Sequence, residues 1–310
     1  NESFGENTRF VITSPFDIRR TVETLFGADL ERKSRLWLWK RQPEVSARVT
    51  LPFRQQQIFL GISAVLIAAM AWAPLYSALA FVMLCHVAYG ATMLFKCLIF
   101  AGGMHTSPTR QGDAPITVQD TELPVYTVLV PMYKETESLP GMLDALGRID
   151  YPASKLDIKL VLEADDRETL EAAQVLKPAY HFEIIRVPPS KPRTKPKACN
   201  YALRFARGQY VTIFDADDRP EKLQLKKAVE MFRASPPDVV CLQSRLNYYN
   251  ANDNLLTRFF SLEYTILFHF MLYGLERLGI PIPLGGTSNH IALARLKAVG
   301  EWDPYNVTED

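Results

Sequence analysis

The longest uncharged stretch of the chain runs from Ile58 to Phe95 and contains no Asp, Glu, Lys or Arg over 38 residues. A spanning helix needs about 20 apolar residues, because the hydrocarbon core of a bilayer is roughly 30 Å thick. Pro74 divides the stretch, so the pattern predicts two spanning helices, Ile58–Trp72 and Leu75–Leu94, with a turn between them. The alternative is a helical hairpin buried in a soluble protein, which is less favourable because so long an uncharged stretch is hard to enclose in a globular core.

Basic residues flank this hairpin on both sides. Seven Lys and Arg residues lie from Arg32 to Arg54, and Lys96 and Arg110 follow the uncharged stretch. Lys and Arg concentrate on the cytoplasmic side of membrane proteins, so the pattern predicts that both ends of the hairpin face the cytoplasm. We therefore expect an integral protein of the inner or plasma membrane, with the lipid bilayer as a partner.

The patterning divides the chain into four segments. Residues 1–50 form a predicted cytosolic helical region with a helix from Pro15 to Leu30, and residues 51–104 contain the hairpin. Residues 105–122 are rich in Pro, Thr, Gly and Asp and are predicted to be a linker, which leaves 123–310 as a soluble domain. Four apolar residues share one face of the first helix: Ile18, Val22, Leu25 and Phe26.

The soluble domain alternates between short apolar runs and segments with helical spacing. This alternation predicts an α/β fold, in which a mostly parallel sheet is covered by helices on both faces. Ligands of such sheets bind at the carboxyl ends of the strands. The predicted strands are Val125–Val130, Ile158–Leu162, Phe182–Val187, Tyr210–Phe214 and Val239–Leu242.

Acidic residues follow three of these strands. Glu135 comes shortly after the first strand, Asp165 after the second, and Asp215 and Asp217 after the fourth. Carboxylates beside apolar strand ends are costly unless a cation or hydrogen-bond donors compensate them. Carboxylate oxygens suit a hard cation such as Mg²⁺, which one or two carboxylates and substrate phosphates commonly hold. A D-x-D pair alone is weak evidence, since loops often contain Asp, but three acidic strand ends together favour a metal site.

A basic segment, Lys191–Lys197, follows the third strand and carries four cations within seven residues. Such a segment fits a phosphate group, and its prolines would restrict its conformation. The alternative is a solvated basic loop. We favour the phosphate role because the acidic strand ends and the basic segment are complementary parts of a site for a metal-bound diphosphate.

One long apolar segment remains, Asn254–Leu278. Arg258, Glu263 and Glu276 interrupt it and argue against a membrane crossing. We expect a helix that packs on the sheet or lies along the membrane surface.

Composition restricts the remaining classes of function. The chain has 310 residues and a formal net charge of +1, so no basic field indicates a nucleic-acid partner, and we expect none. The cysteines contain no C-x-x-C pair, which disfavours a disulfide framework or a structural zinc site. The four cysteines are Cys85, Cys97, Cys199 and Cys241.

Five short motifs follow one another between Leu123 and Asp310: VPMYKE, EADD, TKPKACN, DADD and a terminal VTED. This series resembles glycosyltransferase family 2, in particular the membrane-embedded, cellulose-synthase-like polysaccharide synthases. The resemblance implies a GT-A domain, a mostly parallel sheet flanked by helices and here preceded by the transmembrane hairpin. In that family a Q-x-x-R-W motif and further helices follow the T-E-D motif, so we expect this chain to be a fragment of a longer protein.

The resemblance also implies roles for individual residues. Tyr133, Glu135 and Asp165 would lie at the base and ribose of the nucleotide, and Lys195 and Lys197 would face it. Asp215 would contact the ribose or the metal, Asp217 would bind the metal at the diphosphate, and Asp310 would act as the general base. The implied acceptor side consists of Gly285, Gly286, Thr287, Ser288, Asn289 and His290.

The implied reaction is the inverting transfer of a sugar from a UDP-sugar to a growing glycan, with Mg²⁺ or Mn²⁺ as cofactor and the catalytic domain in the cytoplasm. Accessory subunits of a polysaccharide export system are a further partner that the resemblance suggests. Two alternatives stay open: a non-processive transferase acting on a lipid carrier, and a non-catalytic nucleotide-binding membrane module.

Overall fold

The structure is a computed structural model and describes residues 14–104, 116–177 and 181–306. The T-E-D motif with Asp310, and most of the predicted linker, lie outside the described residues.

Two long apolar helices form the predicted hairpin, and they meet at the proline. Helix α2 spans Phe53–Trp72 and helix α3 spans Pro74–Met104. Helix α2 begins five residues earlier than predicted, in the polar segment before Ile58, and α3 continues ten residues beyond Leu94, past Lys96 into further apolar sequence. By length and composition, three helical segments of the described residues could cross a membrane: α2, α3 and Leu255–Arg277. The third was expected on the sheet or at the membrane surface.

Helix α1 spans Pro15–Arg41 and is 11 residues longer at its carboxyl end than predicted. The side chain of Ser14 caps it by accepting a hydrogen bond from the Asp17 backbone N–H. The face of α1 that packs on the soluble domain is not the apolar face that the sequence predicted. Arg19 forms a 2.7 Å ion pair with Glu183 there, and Leu38 is 7% exposed.

The soluble domain is built on a six-stranded sheet with the order β3-β2-β1-β4-β6-β5. Strands β1 to β4 are parallel, whereas β6 is antiparallel to both β4 and β5. The five predicted strands are all present, and the short antiparallel β6 is an addition. The strands are β1 Tyr126–Met132, β2 Leu156–Glu163, β3 Glu183–Val187, β4 Tyr210–Ile213, β5 Cys241–Gln243 and β6 Asn289–Ala292.

Helices cover both faces of the sheet, because alternate residues of the central strands are apolar on both sides. On β1, Val128 and Val130 enter one core and Leu129 enters the other, and all three are fully buried. The helices are α4 Leu139–Gly147, α5 Arg167–Leu176, α6 Lys195–Ala202, α7 Gln224–Ala234, α8 Leu255–Ile266, a π-helical turn Leu267–Met271, α9 Leu272–Arg277 and α10 Leu293–Val299.

Candidate active site

The loops after β1 and β2 meet the basic segment at the carboxyl edge of the sheet. Arg193 joins them: its Nη1 donates to the hydroxyl of Tyr133 at 2.6 Å, and its Nη2 lies 2.5 Å from Asp165 Oδ2. The guanidinium also lies over the Tyr133 ring, 5.1 Å from the centroid. The result is a partly exposed aromatic surface with a carboxylate and a guanidinium beside it, which can stack on a planar base and hydrogen-bond its edge.

A second contact joins the basic segment to the strand β4 end. Lys195 Nζ lies 2.5 Å from Asp215 Oδ1 and donates to the Gly286 carbonyl oxygen at 2.9 Å. Lys195 is the first residue of α6, so the helix places its ammonium beside the acidic loop. One side chain thus contacts both the D-x-D motif and the predicted acceptor loop.

Lys197 occupies a different place from the one that the resemblance implies. Its ammonium forms a 2.7 Å ion pair with Glu163 Oε1, and both side chains are at most 5% exposed. Burial raises the pKa of Glu163, although the nearby Lys197 opposes this shift. In this structure Lys197 therefore lies beneath the site and does not face it.

Asp166, the last residue of the EADD motif, orders the loop after β1. It caps α5 by accepting from the Thr169 backbone N–H, and it accepts from the Lys134 N–H at 2.6 Å. Burial would raise the pKa of Asp166, but these hydrogen bonds outweigh it and lower the pKa. Lys134 adopts a φ of 58°, a left-handed conformation that the bond from Asp166 stabilises next to Tyr133.

The aspartates of the loop after β4 have two different environments. Asp218 is turned inward, where it accepts from the Asp215 N–H at 2.7 Å and from the Thr287 hydroxyl. Burial raises the pKa of Asp218 to about 6. Asp217 is exposed. Burial raises the pKa of Glu135, and the nearby charges of Asp217 and Asp215 raise it further.

These carboxylates fit a divalent cation. Glu135, Asp215 and Asp217 place negative charge at one edge, and their mutual repulsion would be relieved by a hard cation that accepts oxygen ligands. Within the described residues there is no cluster of three or more His, Cys, Asp or Glu with ligand geometry. The set therefore matches an ion held by one or two carboxylates and completed by substrate phosphates.

The predicted acceptor loop lies beside this acidic edge and is fixed by hydrogen bonds. The Gly285 N–H donates to Gln243 Oε1 at 2.6 Å, and the Ser288 N–H donates to the Ile213 carbonyl at 2.8 Å. Thr287 contacts Asp218, and Asn289 Nδ2 donates to the Gly285 carbonyl. Gly285, Gly286 and Thr287 are partly exposed, whereas Ser288 and Asn289, which were also predicted on the acceptor side, are buried.

His290 belongs to the core of the sheet, which corrects its placement on the acceptor side. It is 1% exposed in β6, and its Nδ1 lies 2.6 Å from the hydroxyl of the buried Tyr126. Its Nε2 lies 3.1 Å from Ser244 Oγ and 3.2 Å from Gln224 Nε2. Burial lowers the pKa of His290 to about 3, so the ring is neutral and structural.

The sequence analysis assigned no individual role to three residues that form or support the site: Arg193, Glu163 and Asp218. All three lie within the basic segment or the acidic motifs. Their spacing from the predicted site residues is the signal that could have distinguished their roles, because neighbouring residues of a strand or helix point to different sides.

A mostly parallel α/β sheet with a base-sized aromatic surface, a basic segment and a D-x-D motif at its carboxyl edge defines a GT-A nucleotide-sugar transferase fold. The sequence profile of Glycosyl transferase family 2 matches residues 127–300. The chain belongs to glycosyl transferase family 2.

Individual relatives agree with this assignment. The chain is 26% identical to the "Probable glycosyltransferase YdaM" of Bacillus subtilis (strain 168) over 222 residues, which cover 70% of this chain and 52% of the relative. It is 32% identical to "Cellulose synthase 2" of Novacetimonas hansenii over 179 residues, which cover 57% of this chain and 10% of that protein. The chain thus spans about half of the first relative and a small part of the second.

A solved structure supports the fold. The mannosyltransferase PcManGT from Pyrobaculum calidifontis, determined in complex with GDP-Man and Mn²⁺, aligns with 74% of this chain and 60% of its own, with a TM-score of 0.54 and 23% sequence identity. At this identity the match indicates a shared fold.

Proposed function

We propose that this protein transfers a sugar from a nucleoside-diphosphate donor to a growing glycan at the cytoplasmic face of a membrane, with inversion at the anomeric carbon. The observation that carries the proposal is that Arg193 joins Tyr133 and Asp165, while Lys195, two residues later, contacts Asp215. The first group is suited to a base and the second to a metal-bound diphosphate. Family membership and the apolar hairpin support the chemistry and the location.

Each residue has a defined task in this proposal. The Tyr133 ring and the Asp165 carboxylate bind the base, and Lys195 moves from Asp215 to the donor phosphates. Asp215 and Asp217 hold Mg²⁺ or Mn²⁺, which stabilises negative charge on the leaving diphosphate. Asp310 accepts the proton of the attacking hydroxyl, and the partly exposed residues 285–287 contact the acceptor.

The donor nucleotide is part of the proposal. The motif series resembles enzymes that use UDP-sugars, whereas PcManGT was solved with GDP-Man. We propose UDP because of that resemblance, and the Asp165 carboxylate beside Arg193 would accept a hydrogen bond from the uracil N–H.

The test is an assay of the full-length protein in lipid vesicles with UDP- and GDP-sugars and Mg²⁺ or Mn²⁺. We expect metal-dependent release of UDP and formation of a glycan whose size distinguishes a polymer from single-sugar transfer to a lipid. Asp217→Asn should lower turnover about 100-fold or more, since it weakens charge stabilisation at the leaving group. The exposed Asp238→Asn is the matched control and should retain wild-type turnover.

A second variant separates the base from the metal site. Asp310→Asn should lower turnover by about 10²- to 10⁴-fold and leave donor binding unchanged, because it removes only proton transfer. Metal-independent turnover at the wild-type rate by Asp217→Asn would contradict the proposed metal site.

A further inference from the structure

Thr194 precedes the first residue of α6, and its hydroxyl does not cap the helix. Its backbone is extended, with φ −133° and ψ 153°, and its carbonyl accepts a hydrogen bond from the Ala198 N–H. A threonine in this position ordinarily accepts a hydrogen bond from an N–H of the first turn. Pro196, at the second helical position, has no N–H, and the Thr194 side chain makes no capping bond. Its hydroxyl is therefore available for another partner.

The partner of this hydroxyl is the segment after α10. Thr194 Oγ1 donates to the carbonyl oxygen of Pro304 at 2.7 Å, although the two residues are 110 positions apart in the sequence. Pro304 is buried and Thr194 is half-buried. Pro304 also lies six residues before the proposed base Asp310. Since each residue of extended chain spans at most about 3.6 Å, the position of Pro304 limits where the Asp310 carboxylate can lie.

The two neighbours of Thr194 contact the donor side of the site. Arg193 donates to the Tyr133 hydroxyl at 2.6 Å, and Lys195 donates to the Gly286 carbonyl oxygen at 2.9 Å. Three consecutive side chains thus contact the proposed base-binding surface, the segment after α10 and the predicted acceptor loop. The short backbone between them couples these three contacts.

The segment after α10 is also held by residues that precede the hairpin. Asp303 accepts hydrogen bonds from Ser46 Oγ at 3.1 Å and from the Ala47 N–H. The Arg48 guanidinium lies 5.3 Å from the centroid of the Tyr305 ring. The bond from Thr194 therefore joins an anchored segment to the loop that carries the proposed donor-binding groups.

We infer that Thr194 is a positioning residue, whose hydroxyl holds the segment leading to Asp310 in place relative to the donor-binding residues. The inference rests on the proposed function, because it requires that the basic segment binds the donor and that Asp310 accepts the proton. Thr194 itself touches neither donor nor acceptor in this scheme. Its loss should therefore slow the chemical step and leave donor affinity nearly unchanged.

The variants Thr194→Val and Thr194→Ser separate the hydroxyl from the shape of the side chain. Val keeps the branched shape but cannot donate, so kcat should fall about 10- to 100-fold while the Kd for UDP with Mn²⁺ stays within about twofold. Ser keeps the donor, and its kcat should remain close to that of the wild type. Sugar transfer by the full-length protein in vesicles and calorimetric titration with UDP and Mn²⁺ measure the two quantities.

Ser190→Ala is the matched control in the same loop. Ser190 Oγ is buried and has no hydrogen-bond partner among the described residues. Loss of this hydroxyl should leave kcat and the Kd for UDP unchanged. Wild-type kcat in Thr194→Val would overturn the inference. Equal losses of kcat and UDP affinity in that variant, or a kcat in Thr194→Ser as low as in Thr194→Val, would also overturn it.

Hydrogen exchange supplies a measurement that needs no activity. Thr194→Val should speed exchange in peptides from the segment after α10 and leave exchange in the β1 peptides unchanged. Unchanged exchange after α10, or faster exchange in β1 to the same degree, would overturn the inference. Absence of metal-dependent transfer by the wild type would instead contradict the proposed function, and the exchange result would still decide whether Thr194 holds this segment.

Discussion

Lys195 connects three parts of the site, since its ammonium contacts Asp215 and the Gly286 carbonyl from the first turn of α6. A cation in this place compensates the charge of Asp215 before a metal and nucleotide bind. The same ammonium must then leave Asp215 if a divalent ion is to take that oxygen. Lys195 is therefore expected to compete with the metal and to assist the diphosphate.

The variant Lys195→Met tests this competition. Removal of one positive charge beside Asp215 should raise the affinity for Mn²⁺ in nucleotide-free protein by about tenfold, since neighbouring charges at such range interact by on the order of 1–2 kcal/mol or more. Donor affinity should fall at the same time. Mn²⁺ binding followed by electron paramagnetic resonance measures the first effect, and Lys191→Met, exposed in the same segment, is the control. Unchanged Mn²⁺ affinity would contradict the competition.

His290 makes the stability of the soluble domain depend on pH. Burial lowers its pKa to about 3 in the folded protein, while the unfolded chain has an ordinary value near 6.5. The unfolded state therefore binds more protons between these values. The contribution of His290 to stability is fully present above about pH 6.5 and is lost as the pH falls towards 3.

The variant His290→Gln should weaken this dependence. Gln retains hydrogen-bonding capacity toward Tyr126 but has no titrating group, so the loss of stability from pH 7 to pH 5, up to about 1.4 kcal/mol per pH unit in the wild type, should shrink. Thermal unfolding midpoints in detergent at the two pH values measure the change. The exposed His181→Gln is the control and should keep the wild-type slope.

The sequence indicated which residues belong to the site, but it did not indicate the direction in which each side chain points. Tyr133, Asp165, Lys195 and Asp215 meet at one edge because each follows a parallel strand or begins the next helix. Lys195 and Lys197 could not both face a ligand, because α6 begins at Lys195 and residues two apart on a helix point to different sides. Treating the basic segment as a loop concealed this constraint.

At the scale of elements, the contact of α3 with the α8–α9 segment depends on glycine. Gly274 and Gly103 have backbone neighbours where a side chain would stand, so the two helices approach as closely as glycine allows. This crossing joins the hairpin to the catalytic domain.

Gly274→Ala should force this crossing apart, since a Cβ would collide with the backbone of Ile99. We expect a loss of about 1–3 kcal/mol, seen as a lower thermal unfolding midpoint in detergent. Gly90→Ala, also in a helix of the hairpin region, meets nothing within 4 Å and should leave the midpoint unchanged or slightly raised. Equal midpoints for both variants would show that the crossing tolerates separation.

Elements with a strong pattern were predictable, and those fixed by tertiary contacts were not. The β-branched runs of β1 to β4 and the proline between α2 and α3 determined their elements locally. Strand β6 has four residues and exists through pairing with β4 and β5, so no local pattern indicates it. On α1 the apolar face with Leu25 and Phe26 is exposed, whereas Arg19, through its ion pair with Glu183, and the buried Ser34 and Leu38 lie against the soluble domain.

For the molecule as a whole, α1 and the segment after α10 are bound to each other across α6. Asn200 on α6 donates to the Ser34 carbonyl at 3.3 Å and to the Trp302 carbonyl at 2.7 Å, and accepts from the Trp302 N–H. Farther along, Asp303 accepts from Ser46 Oγ at 3.1 Å. The residues that precede the hairpin thus support the segment that leads to the predicted base Asp310.

Asn200→Ala removes this connection and leaves the buried backbone groups of Trp302 without partners. We expect a loss of about 2–4 kcal/mol in stability, since several buried hydrogen bonds are broken at once. Turnover should fall more than donor affinity, because the affected backbone of Trp302 lies eight residues before Asp310 and away from the proposed base-binding edge. Thermal unfolding and a comparison of kcat with the donor KM measure both effects, and the exposed Asn252→Ala serves as control. Parallel losses in kcat and donor affinity would instead indicate a general loss of folded protein, and α1 would then have no particular link to the base.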